Sequence, residues 1–135
     1  MTTIGFFSAV QKPGETDLTI RSRERQDLVN LKKFIPDMDI IKSPAGSDYA
    51  FRAEVTHEEW AEAVAAMALL TDYPNFKDAV KKVNPRRAEV YGRIWGELAA
   101  EYGAYGQIGA ATRQRATSFH SHAFGNGSVS RDGAE

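Results

Sequence analysis

The sequence predicts an α+β fold: a four-stranded, mainly antiparallel sheet in the order ββαββαα, with helices on one face. Three observations lead there. Two pairs of short segments with period-two alternation each flank a turn signal, Pro13-Gly14 in the first pair and Pro44 with Gly46 in the second. Apolar residues recur at helical spacing between the pairs and again after the second. Thr56 followed by Glu59 has the form of a capping box, which marks a helix start directly after a strand.

Residues 4 to 12, IGFFSAVQK, and 17 to 23, DLTIRSR, are rich in β-branched and aromatic residues and read as a hairpin closed by Pro13-Gly14-Glu15-Thr16. In its second strand Leu18 and Ile20 share one face, and Thr19, Arg21 and Arg23 share the other. From about Glu24 to Ile35, Leu28, Leu31 and Ile35 trace an amphipathic helix that Pro36 ends. Ile40-Ile41-Lys42 and Tyr49 to Val55 read as a second hairpin around the loop SPAGSD. Alternation puts Tyr49, Phe51, Ala53 and Val55 on one face and Ala50, Arg52 and Glu54 on the other.

After the capping box, Trp60, Val64, Met67 and Leu70 form an apolar stripe that ends near Thr71. Pro74 disfavours helical geometry at Tyr73, and Asn75 is placed to cap a short helix carrying Phe76, Ala79, Val80 and Val83. Asn84-Pro85 is a favourable N-cap and N1 pair for a third segment. That segment is expected to bury Val90 or Tyr91, Ile94 or Trp95, and Leu98, and to end by Gly103. Beyond it small and polar residues dominate, so the predicted organisation is one domain over 1–104 and a Gly/Ser-rich flexible tail over 105–135.

A chain of 135 residues with 42% hydrophobic content is long enough to bury a core without disulfides or metal. A net charge of -1 argues against wholesale binding of nucleic acid or an anionic membrane. The absence of cysteine excludes thiolate chemistry and Cys-bearing zinc sites, and it suits a reducing compartment. With no signal peptide or membrane-spanning run in the sequence, the expected location is cytoplasmic.

Two groups of residues are candidates for a ligand site. Arg21, Arg23 and Arg52, with Lys12 and Gln11 nearby, are predicted to cluster on the sheet face turned away from the helices, where guanidinium groups can hold an anion bidentately. The stacking aromatics of single-strand binders are not evident there. The bland reading is a solvated face on which Glu54 neutralises a neighbour. The second group is the corner of Asp72, Tyr73 and Lys77, where a helix N-terminus beside a lysine attracts an anion. Read structurally, the corner is only a junction between helices.

Tyr91 and Trp95, one turn apart, read as core, with a binding wall beside Arg87 or Arg93 as the alternative. His57 falls in the first turn of a helix. His120 and His122 lack a third ligand, so no metal site is expected, and no cofactor loop or catalytic motif is present. Glu58, Glu59 and Glu62 read as favourable charge at a helix start.

GFFSAVQK, GSDYAFR, DYPNFK and VYGRIW together resemble a group of short bacterial proteins encoded on chromosomes or mobile elements. The resemblance spans roughly residues 4 to 98. It implies a small cytoplasmic accessory protein with a phage- or plasmid-linked role, and it brings no activity, cofactor or catalytic residue with it. The expectation is therefore a non-enzymatic binding module for a protein partner or an anionic ligand. The alternative is a small enzyme acting on a phosphate-bearing substrate with Asp72 or Tyr73 as acid or base. Self-association through the open sheet face or the edge strand IGFFSAV is compatible with either.

Overall fold

The computed structural model describes residues 1–103 and shows a mixed α+β architecture. The elements are β1 (Ser8–Gln11), β2 (Leu18–Ser22), α1 (Arg25–Leu31), β3 (Ile41–Lys42), β4 (Phe51–Val55), α2 (His57–Leu69), α3 (Phe76–Val83) and α4 (Pro85–Tyr102). The three helical segments read after the second hairpin form as α2, α3 and α4, one more than the order ββαββαα writes out, because Asn84 takes an extended conformation between α3 and α4. Its side chain accepts from the Arg87 N–H and starts a new helix.

The four strands form one antiparallel sheet in the order β1-β2-β4-β3. Both hairpins therefore join a common layer, with β2 against β4 at its centre. Pleating sends Ile20, Ala53 and Val55 to one face, where they are fully or almost fully buried with Leu28 and Leu31 of α1, Ala63 of α2, and Ile35 and Met38. Trp60 and Met67 pack against this core from α2. The capping box forms as expected, with the Glu59 N–H donating to Thr56 Oγ1 and the Thr56 N–H donating to Glu59 Oε2. Each such cap is worth about 1 kcal/mol.

Several expectations need correction. β1 starts at Ser8, not Ile4, because the preceding backbone is recruited elsewhere: the Phe6 N–H donates to Asp27 Oδ2, and the Ile4 carbonyl accepts from Asn30. β4 starts at Phe51, so Tyr49 leaves the face of Phe51 and Ala53. α1 stops at Leu31, and the chain continues to Ile35 through turn hydrogen bonds back to Leu31. The α2 stripe is buried only in part, with Val64 and Leu70 at 42% and 63% exposure.

The chain divides at Tyr91 into a unit of residues 1–91 and a second unit that begins at Gly92. In α4 Tyr91 is buried, whereas Leu98, expected in the core, and both Ile94 and Trp95, one of which is expected there, are exposed. Helical periodicity marks one side of a helix as apolar without specifying what covers it. The expected tail, with His120 and His122, lies outside the described residues.

Candidate functional site

The sheet register decides where the arginines go. Residues directly opposite in an antiparallel pair project to the same face with Cβ atoms about 4.5–5.5 Å apart. Arg21 of β2 lies opposite Arg52 of β4, Ser8 of β1 lies opposite Arg21, and Ile41 of β3 lies opposite Arg52. A row Ser8, Arg21, Arg52, Ile41 therefore crosses the face that α1 and α2 do not cover. One step along, Thr19 and Glu54 form the next pair of the same face.

The charges in this row are unbalanced. Glu54, the nearest carboxylate in the register, accepts from Thr19 Oγ1 at 2.8 Å and from Lys12 Nζ at 3.5 Å. Lys12 is thus neutralised, with Glu15 3.9 Å away on its other side. Among the described residues no carboxylate pairs with Arg21, Arg23 or Arg52. Arg21 Nη2 donates to Ser8 Oγ at 2.7 Å, and the Nε atoms of Arg21 and Arg52 are both buried with no hydrogen-bond partner. A buried N–H without an acceptor costs about 1–3 kcal/mol, so two of them on like-charged register partners is an arrangement that stability alone does not favour.

Tyr49, released from the strand, supplies the aromatic group that sequence alternation had assigned to the opposite face. Its ring centroid lies 4.7 Å from the Arg21 Cζ and 4.9 Å from the Arg23 Cζ. Arg23 Nη1 also donates to the Asp48 carbonyl at 2.7 Å. Guanidinium groups within about 6 Å of an aromatic face are attracted to it. Tyr49 thereby holds two arginines in place without neutralising either. Gln11 stays outside this array, its Nε2 donating to the Glu15 carbonyl.

Asp72, Tyr73 and Lys77 are placed elsewhere. Asp72 is exposed between α2 and α3 and lines a cleft of about 480 Å³ with Tyr73, Asn75, Asp78 and Lys82. No arginine lines that cleft. Asn75 caps α3 through the Asp78 N–H, which is the structural role the corner was given. Tyr73 also borders a second, apolar cleft of about 470 Å³ bounded by Phe7, Phe34, Trp60, Met67 and Phe76. Arg21 and Arg52 thus lie opposite each other on the sheet, with Arg23 just past β2 against the same Tyr49 ring, whereas Asp72 and Tyr73 precede α3 and Lys77 lies in its first turn.

Sequence reasoning missed a buried polar cluster around Asp27. This residue is 3% exposed, and its Oδ2 accepts from the Phe6 N–H and from Ser22 Oγ, while its Oδ1 is paired with Arg87 Nη2. One turn further along α4, Tyr91 donates its hydroxyl to the Thr2 carbonyl at 3.1 Å and stacks on Phe76. Burial raises the Tyr91 phenol above its ordinary value, with the Arg87 charge and the Thr2 hydrogen bond opposing. Gly5 is required here, since a Cβ would lie 2.8 Å from both Cβ and Cγ of Asp27. The cluster ties residues 2–6 to α1 and α4 and engages both carboxylate oxygens of Asp27.

Among the described residues no group of three His, Asp or Glu side chains could hold a metal ion, and no helix is long and apolar enough to cross a membrane. His57 is exposed at the start of α2. The chain matches no known family, no curated protein and no solved structure.

Proposed function

We propose that this protein is a small cytoplasmic accessory protein that works as a non-enzymatic binding module, taking an anionic ligand on the arginine-bearing face of its sheet. The observation that carries the reading is the Arg21–Arg52 pair. These two residues are register partners in neighbouring strands, with no carboxylate counter-ion among the described residues. Guanidinium Nη groups form charge-assisted, bidentate hydrogen bonds with carboxylates and phosphates, and a bound anion would relieve the repulsion within the pair. Ser8 Oγ accepts from Arg21, which leaves its own proton available for donation to the same anion.

The acid–base alternative at Asp72 or Tyr73 receives less support, because it needs arginines beside the acid and the cleft lined by Asp72 contains none. The test is calorimetric titration of the full chain at low ionic strength with phosphate, sulfate, citrate and acetate, in parallel with Arg21→Met and Arg52→Met. Binding that is saturable in the native protein and lost in both variants is the expected result. Equal heats in native and variant proteins would remove the sheet face as the site.

A further inference from the structure

The arginine pair also carries information about the charge of its ligand. Resting on the anion-binding reading above, we infer that the site selects a dianionic phosphate monoester over monoanionic groups of similar shape. The two guanidinium groups carry two positive charges in one register pair, and neither is offset by a carboxylate among the described residues. A monoanion can neutralise only one of them. A phosphoryl group ionised twice neutralises both, and its three terminal oxygens offer an acceptor edge to each guanidinium from the two strands.

The donor supply fits the same group. Each guanidinium carries five N–H donors, of which Arg21 spends one on Ser8 Oγ and Arg52 spends none on the described residues. The Nε atoms are buried, so the ligand meets the Nη ends, with the Ser8 hydroxyl beside Arg21 as a further donor. Arg23 adds a third positive charge at the margin, held on Tyr49 and on the Asp48 carbonyl. Lys12 does not contribute, because Glu54 and Glu15 engage it.

Phenyl phosphate, phenyl sulfate and benzoate form the probe set, titrated into the full chain at pH 8 and matched ionic strength. At that pH the phosphate monoester is a dianion, since its second ionisation lies near pH 6. The sulfate ester is a tetrahedral monoanion and benzoate a planar one. The expected result is phenyl phosphate binding about tenfold or more tighter than phenyl sulfate, as one additional charge-assisted contact supplies. In Arg52→Met binding of all three probes is expected to be lost, while Arg52→Lys, which keeps the charge, retains part of the preference. Circular dichroism of each variant separates lost binding from lost structure.

Equal affinity for phosphate and sulfate esters would overturn the dianion inference while leaving the anion site standing. Binding of none of the three probes would overturn both. Adenosine monophosphate and O-phosphoserine, titrated in the same way, separate a nucleotide source of the phosphoryl group from a phosphorylated side chain. Either one exceeding phenyl sulfate supports the inference, and both falling below it counts against it.

Discussion

Replacing Arg52 by methionine is expected to make the free protein more stable while removing its anion site. Like charges directly opposite in an antiparallel pair destabilise by about 0.2–1 kcal/mol, and Arg21 and Arg52 hold that register. The buried, partnerless Nε of Arg52 adds a cost of about 1–3 kcal/mol, part of which hydration of the exposed portion of this partly buried side chain offsets. Methionine keeps an unbranched apolar stem on the sheet and removes both penalties. The net gain should be about 1 kcal/mol, or roughly 4 °C in Tm for a domain of this size. The assay is urea unfolding followed by tryptophan fluorescence in about 0.01 M and about 1 M sodium chloride, over which the screening length falls from about 30 Å to about 3 Å. Salt should narrow the difference by stabilising the native protein selectively. A variant less stable than the native protein by 1 kcal/mol or more at low salt, or a difference indifferent to salt, would refute the argument that the two arginines oppose each other.

Arg87→Met should cost about 3–5 kcal/mol in urea unfolding, because it leaves Asp27 buried with only the Phe6 N–H and the Ser22 hydroxyl as donors. Adding Asp27→Asn should restore part of that loss, and a cost below about 1 kcal/mol for the single variant would contradict the burial of the pair. Gly5→Ala should destabilise by about 1–3 kcal/mol, since the new methyl meets Phe7 Cζ at 2.7 Å and Asp27 at 2.8 Å; an unchanged urea midpoint would mean that this contact relaxes freely. Burial raises the Tyr91 phenol in the folded state, so its contribution to stability is complete below the unfolded value near pH 10 and is lost as pH rises through the higher folded value. Melting curves between pH 9 and 12 should therefore fall more steeply for the native protein than for Tyr91→Phe, and parallel curves would exclude Tyr91 as the group responsible.

The parts of the fold legible in the sequence were those governed by neighbours a few residues apart. The capping box of Thr56 and Glu59 and the Asn75 cap depend on spacing within one turn. Alternation in LTIRS and FRAEV placed Arg21 and Arg52 on the surface opposite Ile20 and Ala53, and the β2–β4 register joined them. What stayed hidden depends on contacts across the chain. Asp27 looks like an ordinary first-turn acid of a helix until Arg87, sixty residues later, is seen beside it. Tyr49 follows the alternation of β4 in the sequence, but the strand begins two residues after it and its ring turns to Arg21 and Arg23. Ile94, Trp95 and Leu98 continue the apolar spacing of α4 past Tyr91, yet they stay exposed.

The clamp on residues 2–6 has a consequence for the order in which the polypeptide matures. A ribosome releases Thr2 and Phe6 early, whereas the Arg87 and Tyr91 side chains that complete their surroundings emerge only after the whole sheet has been made. Until then Asp27 has no cation to balance it, and the nascent chain carries an incomplete seam that translation closes late. Pauses or truncations before position 87 should therefore leave chains whose strands can pair but whose leading residues remain open to proteolysis.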